Sequence, residues 1–295
     1  MKIAIFSTNY RTEIDIPLRK TINFLRKNDA TVLIERNLYA QIAQQAQDFP
    51  VCDTIDRHDL DADLAVSIGG DGTLLHTATI IGNSNIPILG FNTGRLGFLA
   101  DAADDEIERI FDEILNHKYR LRKRSMLTIS LSDGAIDTYP FALNEVAVLK
   151  QDLSSMISIH ATIDGEYLNT YMADGLIVAT PTGSTAYAMS VGGPLLMPQV
   201  RDLLIAPVAS HSLNVRPLVI PDSCNIELEV ESRSKSYLIS LDGRSQLMNR
   251  HTKIHIAKAD FTLKTVELEH HSFFKYAEKQ IVVGNRQTQL IYNTL

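Results

Sequence analysis

The spacing of apolar residues changes character near residue 120. Before that point, short apolar runs alternate with stretches of helical period. Ile3–Phe6 reads as a buried strand, and a helix opens at Pro17 with Leu18, Ile22 and Leu25 on one face. Thr31–Ile34 is a second strand and Leu38–Gln47 a weaker helix. Leu64–Ile68 is a third strand that turns through glycines into a helix over Gly72–Gly82, and Ile86–Leu89 is a fourth strand. Glu106–Leu115 sets Ile107, Ile110, Phe111 and Ile114 on one side of an amphipathic helix. Strand alternating with helix predicts a parallel sheet covered by helices on both faces.

From the basic run Tyr119–Arg124 onward, strands dominate. The pattern predicts them at Met126–Ser130, Phe141–Leu149, Met156–Ile163, Leu176–Ala179, Leu203–Pro207, Asn225–Val230, Tyr237–Leu241, Thr252–Ala257 and Thr262–Leu268. Ile226-Glu227-Leu228-Glu229-Val230 alternates strictly, and Ser132-Asp133-Gly134, Asp164-Gly165 and Asp242-Gly243 mark turns. The expected fold is therefore α/β plus all-β. A Rossmann-like parallel-sheet domain over residues 1–120 is followed by a β-sandwich-like domain over 121–269, and about 270–295 is expected to pack back onto the first domain.

Composition narrows the function classes. At 295 residues the chain has room for one large domain or two ordinary ones. A net charge of −7 argues against general nucleic-acid or anionic-membrane binding. Two cysteines, Cys52 and Cys224, fit a reducing compartment and exclude a cysteine-rich zinc site. MKIAIFST turns polar too soon for a signal peptide, and no run reaches the roughly 18 apolar residues of a membrane span, so the expected location is cytoplasmic.

Three stretches carry candidate chemistry. In Gly69-Gly70-Asp71-Gly72-Thr73, glycines between a strand and a helix N-terminus can cradle an anion on backbone N–H groups. Asp71 is out of place in a bare phosphate cradle. It makes sense beside a metal, or as the acceptor of a proton from an attacking hydroxyl, and together those roles describe phosphoryl transfer. The plainer alternative is a tight turn with Asp71 capping the helix. Asn144-Glu145 interrupts the apolar run FALNEVAVL; a buried polar pair is costly unless it binds something, although Glu145 in a salt bridge on an exposed face is the alternative. In DGLIVATPTGSTAY, from Asp174 to Tyr187, a strand runs into hydroxyls and free amides suited to ribose and phosphate. Tyr187 offers a flat face for a base, or fills a core with its hydroxyl satisfied. The basic cluster Arg120–Arg124 is a solvated junction or, alternatively, faces phosphate.

GGDGT, NTGRLGFL, the NE dipeptide, DGLIVATPTGSTAY and HSLNVRPLV, in this order and spacing, resemble the NAD kinase family. GGDGT alone is shared with diacylglycerol and sphingosine kinases. The resemblance is strong over about residues 64–220 and implies transfer of the ATP γ-phosphate to the 2′-hydroxyl of the adenosine ribose of NAD, giving NADP. It implies Asp71 as general base, with Asp71, Gly72, Asn144, Glu145, Asp174, Thr185, Ala186, Tyr187 and Ser190 as NAD contacts, and Thr182 and Ser184 as further hydroxyls in the same pocket. Gly69, Gly70, Thr73, His76 and Arg244 are candidate phosphate or ATP contacts, His76 being otherwise a surface histidine. Mg²⁺ or Mn²⁺ is implied with ATP; no multi-carboxylate cage is visible, and Asp71 is the candidate protein neighbour of the metal. The resemblance also implies a homodimer or homotetramer.

Two departures stand out. Met172 replaces the basic residue that many members carry two positions before the DGL aspartate, and Asp242-Gly243-Arg244 stands where relatives often show DGQ. They leave open NAD against NADH and ATP against polyphosphate. A lipid kinase with the same glycine cradle, and a dinucleotide sensor without transfer, are the competing readings.

Overall fold

The computed structural model describes residues 1–46, 48–92, 102–103, 106–134, 136–152, 156–234, 236–248 and 252–268. Most of the NTGRLGFL run, from Thr93, and the expected return of 270–295 lie outside the described residues. Two compact units form. The first combines Met1–Thr77, Ile86–Arg122 and the described residues from Thr265; the second combines Ala78–Asn85 with Lys123–Lys264.

The first unit contains strands β1 (Lys2–Phe6), β2 (Thr31–Glu35), β3 (Asp53–Ile55), β4 (Leu64–Ile68), β5 (Ile88–Asn92) and the two-residue β6 (Ala102–Ala103). The strand order β5-β4-β1-β2-β3 is parallel throughout. β1 and β4 are neighbours whose connections leave in opposite directions, the switch point at which such sheets open a crevice beyond their carboxyl ends. Helices α1 (Thr12–Lys27), α2 (Arg36–Gln45) and α4 (Ile107–Leu115) bury Leu18, Ile22, Leu38, Ile42, Ile110 and Phe111 in the core, and Phe111 stacks on Phe91 at 5.3 Å. α1 begins a turn earlier than Pro17, which lies buried inside it. Burial of Ile14 and the acidic Glu13 and Asp15 in the first turn favour that extension. α2 begins at Arg36 because the Glu35 carboxylate accepts the Leu38 amide at 2.7 Å, a cap that periodicity does not reveal.

The second unit is two antiparallel sheets around one core. One orders β11 (Glu166–Ala173), β10 (Ile157–Ile163), β15 (Ile226–Glu231) and β18 (Ile254–Leu268), with β7 (Tyr119–Leu131) and β8 (Phe141–Ala142) attached. The other orders β14 (Leu218–Pro221), β13 (Asp202–Val208), β12 (Gly175–Ala179), β9 (Glu145–Lys150), β16 (Tyr237–Leu241) and β17 (Arg244–Met248). Ile159, Tyr171 and Leu228 of the first sheet and Val148, Val178 and Ile239 of the second share the core. Two expectations change here. The expected Thr252–Ala257 and Thr262–Leu268 merge into one strand, β18, from Ile254 to Leu268, and Lys258–Phe261 between them contains neither Gly nor Pro to break it. Phe141–Leu149 is two strands, β8 and β9, broken at Leu143-Asn144. Among the described residues no helix is long and apolar enough to cross a membrane.

Candidate active site

In the first unit, β4 is buried along its whole length and delivers the chain to Gly69 at its carboxyl end. Gly69 has φ +151°, and a Cβ there would stand 2.3 Å from Thr73 Oγ1, so only glycine fits. Its amide donates to Phe91 O at 2.8 Å, fixing the turn to β5. Gly70 and Gly72 differ: a Cβ at either would meet nothing within 4 Å. The protein's own packing does not require those two glycines, which leaves an open approach over the backbone at the start of α3 (Asp71–Ile81). Asp71 is the first residue of that helix, half-buried, rather than the residue before it. Thr73 is buried, its hydroxyl 3.4 Å from that of Thr8, which follows β1 across the switch point. His76 is exposed one turn later.

In the second unit, Asn144 and Glu145 are buried, with 7% and 9% exposure. Asn144 Oδ1 and Glu145 Oε2 have no hydrogen-bond partner among the described residues, so two adjacent acceptors are desolvated without compensation. Burial pushes the Glu145 carboxyl up to about 8, the neighbouring Asp242 charge adds to that, and a hydrogen bond from the Tyr187 amide opposes it. Glu145 is thus a buried acid with one free oxygen, not the exposed salt bridge its place in the sequence allowed.

The PTGST turn is fastened to this dipeptide through the backbone. Thr180 N donates to Asn144 O at 2.9 Å, and Thr180 Oγ1 donates to Leu143 O at 2.6 Å while accepting from Gly183 N at 3.1 Å. A Cβ on Gly183 would lie 2.1 Å from Asn144 O. Ser184 Oγ is consumed internally, donating to Pro181 O and accepting from Leu196 N. Thr185 and Ser190 hydroxyls donate to Thr182 O at 3.1 Å and Tyr187 O at 2.8 Å, and Arg124 Nη1 reaches Thr182 Oγ1 at 3.4 Å. Tyr187 opens the short helix α5 (Tyr187–Ser190), 36% exposed, a ring displayed rather than buried in the core, and Ala186 precedes it.

Asp174 is not brought to this turn. It lies at the other end of β12, where Lys150 Nζ pairs with its carboxylate at 2.7 Å; the strand between spans roughly 13 Å at the usual rise. Arg244 is also committed elsewhere. Its Nη1 and Nη2 donate to Tyr139 O at 2.7 Å and Phe141 O at 2.6 Å, and the guanidinium lies over the Tyr139 ring.

Sequence reasoning missed Asp242. At the β16–β17 turn, with φ +48°, its carboxylate accepts the amides of Leu143, Asn144 and Glu145 at 2.7, 2.8 and 3.0 Å. Burial raises its pKa, against the three amides and the Arg244 charge. The DGR triplet was visible as a turn; a carboxylate binding backbone about a hundred residues away was not. Among the described residues, no three His, Cys, Asp or Glu side chains form a metal-holding group.

Residues 9–119 match the ATP-NAD kinase N-terminal domain and residues 143–268 the ATP-NAD kinase C-terminal domain. A NAD kinase of Bacteroides fragilis is 44% identical over 96% of this chain and 98% of its own length. The chain belongs to the NAD kinase family. A NAD kinase of Cytophaga hutchinsonii is 46% identical over 75% of this chain and 76% of its own. Among solved structures, yeast NADH kinase complexed with NADH superposes with a TM-score of 0.86, at 26% identity, covering 97% of this family member and 88% of the yeast chain. The NAD kinase from Archaeoglobus fulgidus in complex with ATP gives a TM-score of 0.73 at 25% identity, covering 91% and 94%.

Proposed function

We propose that this kinase transfers the γ-phosphate of ATP to the 2′-hydroxyl of the adenosine ribose of NAD, producing NADP. The observation that carries the reading is the buried Asn144-Glu145 pair, the cost of whose unpartnered oxygens is offset only when a ligand hydrogen-bonds to them. Asn144 and Glu145, with the turn Thr182–Ser190, hold NAD; Tyr187 supplies an exposed ring for a base, and Asp174 reads a more distant part of the dinucleotide. Asp71 is the general base. What supports that role is its position opening α3 beside Gly70 and Gly72, where the backbone lies open to a polyphosphate. Thr73 and His76 line the same helix start, and Gly69 holds the turn.

A divalent cation fits this residue set in one manner. With no carboxylate cage among the described residues, Mg²⁺ or Mn²⁺ would come bound to ATP, offsetting phosphate charge with Asp71 as its protein neighbour. The chain's own task is then to orient the ribose hydroxyl and accept its proton at the Asp71 carboxylate. We assign Arg244 to the support of the Tyr139–Phe141 backbone in place of a phosphate contact. The homodimer or homotetramer and the cytoplasmic location remain part of the proposal; the free cysteines Cys52 and Cys224 support the latter.

The test is purified protein with ATP, Mg²⁺ and NAD, read by an NADP-specific dehydrogenase, with NADH and polyphosphate in parallel. Asp71→Asn is expected to keep NAD affinity and lower the rate at least about 100-fold. An unchanged rate removes Asp71 from the mechanism. NAD binding without NADP from any donor makes this family member a sensor, and no NAD binding removes Asn144 and Glu145 from the role of dinucleotide contacts.

A further inference from the structure

The two oxygens that make the Asn144-Glu145 pair a binding site face a ligand only while the backbone beneath them stays in place. That backbone is not ordinary sheet. Leu143-Asn144 interrupts β8 and β9, so the peptide groups there lack a continuous ladder partner. The three amides from Leu143 to Glu145 are satisfied instead by one carboxylate, Asp242, and the Asp242 amide returns a bond to Glu145 O at 3.1 Å. Two residues further on, Arg244 takes the carbonyls of Tyr139 and Phe141 with separate nitrogens of its fork, at 2.7 and 2.6 Å. The three-residue turn therefore holds the run at both ends, Arg244 through the Tyr139 and Phe141 carbonyls and Asp242 through the Leu143–Glu145 amides, while Thr180 takes the Leu143 and Asn144 carbonyls.

Each side chain is fitted to its task. A carboxylate can accept three amides at once, and a planar guanidinium can span two carbonyls while its charge sits over a ring, here Tyr139 with the Cζ 5.6 Å from the ring centroid. Asp242 and Gly243 take the positive-φ geometry of a tight hairpin, φ +48° and +82°, which puts Asp242 and Arg244 side by side. Arg244 is half-buried, and both carbonyls it binds belong to the run it supports.

We infer that the Asp242-Gly243-Arg244 turn is a positioning clamp, and that Arg244, through the backbone of Tyr139–Glu145, sets where Asn144 and Glu145 meet the dinucleotide. The inference rests on the reading that those two residues hold NAD. Arg244 touches no reacting atom. Its removal therefore acts on dinucleotide binding and leaves both the phosphate donor and the chemical step alone.

Steady-state kinetics of Arg244→Ala, Arg244→Lys and Asn144→Ala test this, with NAD affinity measured directly by calorimetry. Arg244→Ala is expected to raise KM and Kd for NAD at least about tenfold, with KM for ATP and kcat within about twofold; Arg244→Lys, which keeps the charge and one bond, falls between. A fall in kcat accompanied by a rise in both KM values would overturn the clamp, since that is what loosened folding alone produces. An unchanged KM for NAD in Arg244→Ala, with Asn144→Ala impaired, would also overturn it. Should Asn144→Ala leave NAD binding intact, the NAD-site reading itself fails, and the clamp with it. If Arg244→Ala does not fold, the Arg244→Lys values decide alone: a selective rise in KM for NAD supports the clamp and a wild-type KM ends it.

Discussion

Glu145 occupies a position that an ordinary glutamate avoids. The residue is 9% exposed and sits beside the Asp242 carboxylate, and burial followed by that charge lifts its carboxyl to about 8, against roughly 4.3 in an unfolded chain. The folded protein therefore keeps a proton on Glu145 that the unfolded chain has already released. Stability must fall as pH rises from about 4.5 toward 8 and level off above that, the reverse of a salt-bridged carboxylate. Asp56 and Asp164, whose values are lowered, act in the opposite sense, but their contribution is lost only as pH falls below about 4. Without NAD present, the protein is thus expected to melt at a higher temperature at pH 5.5 than at pH 8.5. Glu145→Gln, neutral at both, should flatten that dependence and raise stability at pH 8.5 by on the order of a few kcal/mol. Calorimetry across the range decides it; a slope unchanged in the variant would put the titrating proton elsewhere, on Asp242 first. The protonated form is also useful, because a neutral acid can both donate to and accept from a ligand.

The turn after β12 shows how an element can be dictated by its neighbour instead of by its own sequence. Gly183 lacks positive φ, so conformational freedom does not explain it; contact does, since a Cβ would stand 2.1 Å from Asn144 O. Gly183→Ala should push the turn off the dipeptide, destabilise the protein by about 1–3 kcal/mol and weaken NAD binding, whereas strain absorbed away from the dipeptide would lower only the melting temperature. Thermal melts paired with NAD titration separate the two. The glycines of the first and last motifs were legible in the sequence as glycines, but which were needed for packing, which for φ and which left room was not. Strand legibility followed burial in the same manner. Central strands such as β1, β4 and β12 stood out as apolar runs, while β3, β11, β14 and β17 were missed, and each lies at the edge of its sheet. An edge strand has fewer neighbours to bury against, so its sequence need not alternate. Glu166–Ala173 illustrates this: Tyr167 and Met172 are exposed, and only Tyr171 and Ala173 are buried. The Asn144-Glu145 pair was legible because its cost was local; its anchoring by Asp242 was not, because that bond joins residues far apart in the chain.

Each of the two units carries its own buried core, one built on Ile3, Ile22, Phe91 and Phe111, the other on Val148, Val178, Leu228 and Ile239. A unit with its own core can unfold in its own transition, so a single two-state melt is not expected of the whole chain. Phe111→Ala removes a ring that is fully buried against Phe91 and should cost about 3–5 kcal/mol in the first core. Ile239→Ala, also fully buried, should cost about 2–5 kcal/mol in the second. Differential scanning calorimetry of the two variants is expected to move different transitions, and one shared transition moved by both would show that the cores melt together. Activity adds a second reading. With Asp71 in the first unit and Asn144 and Glu145 in the second, the proposed reaction needs both folded, so heat inactivation should track whichever transition comes first. Phe111→Ala and Ile239→Ala should then each lower the inactivation temperature when its own core becomes the weaker one. NAD binding should outlast the loss of activity only in Phe111→Ala, whose damage spares the unit that carries Asn144 and Glu145, the proposed dinucleotide contacts.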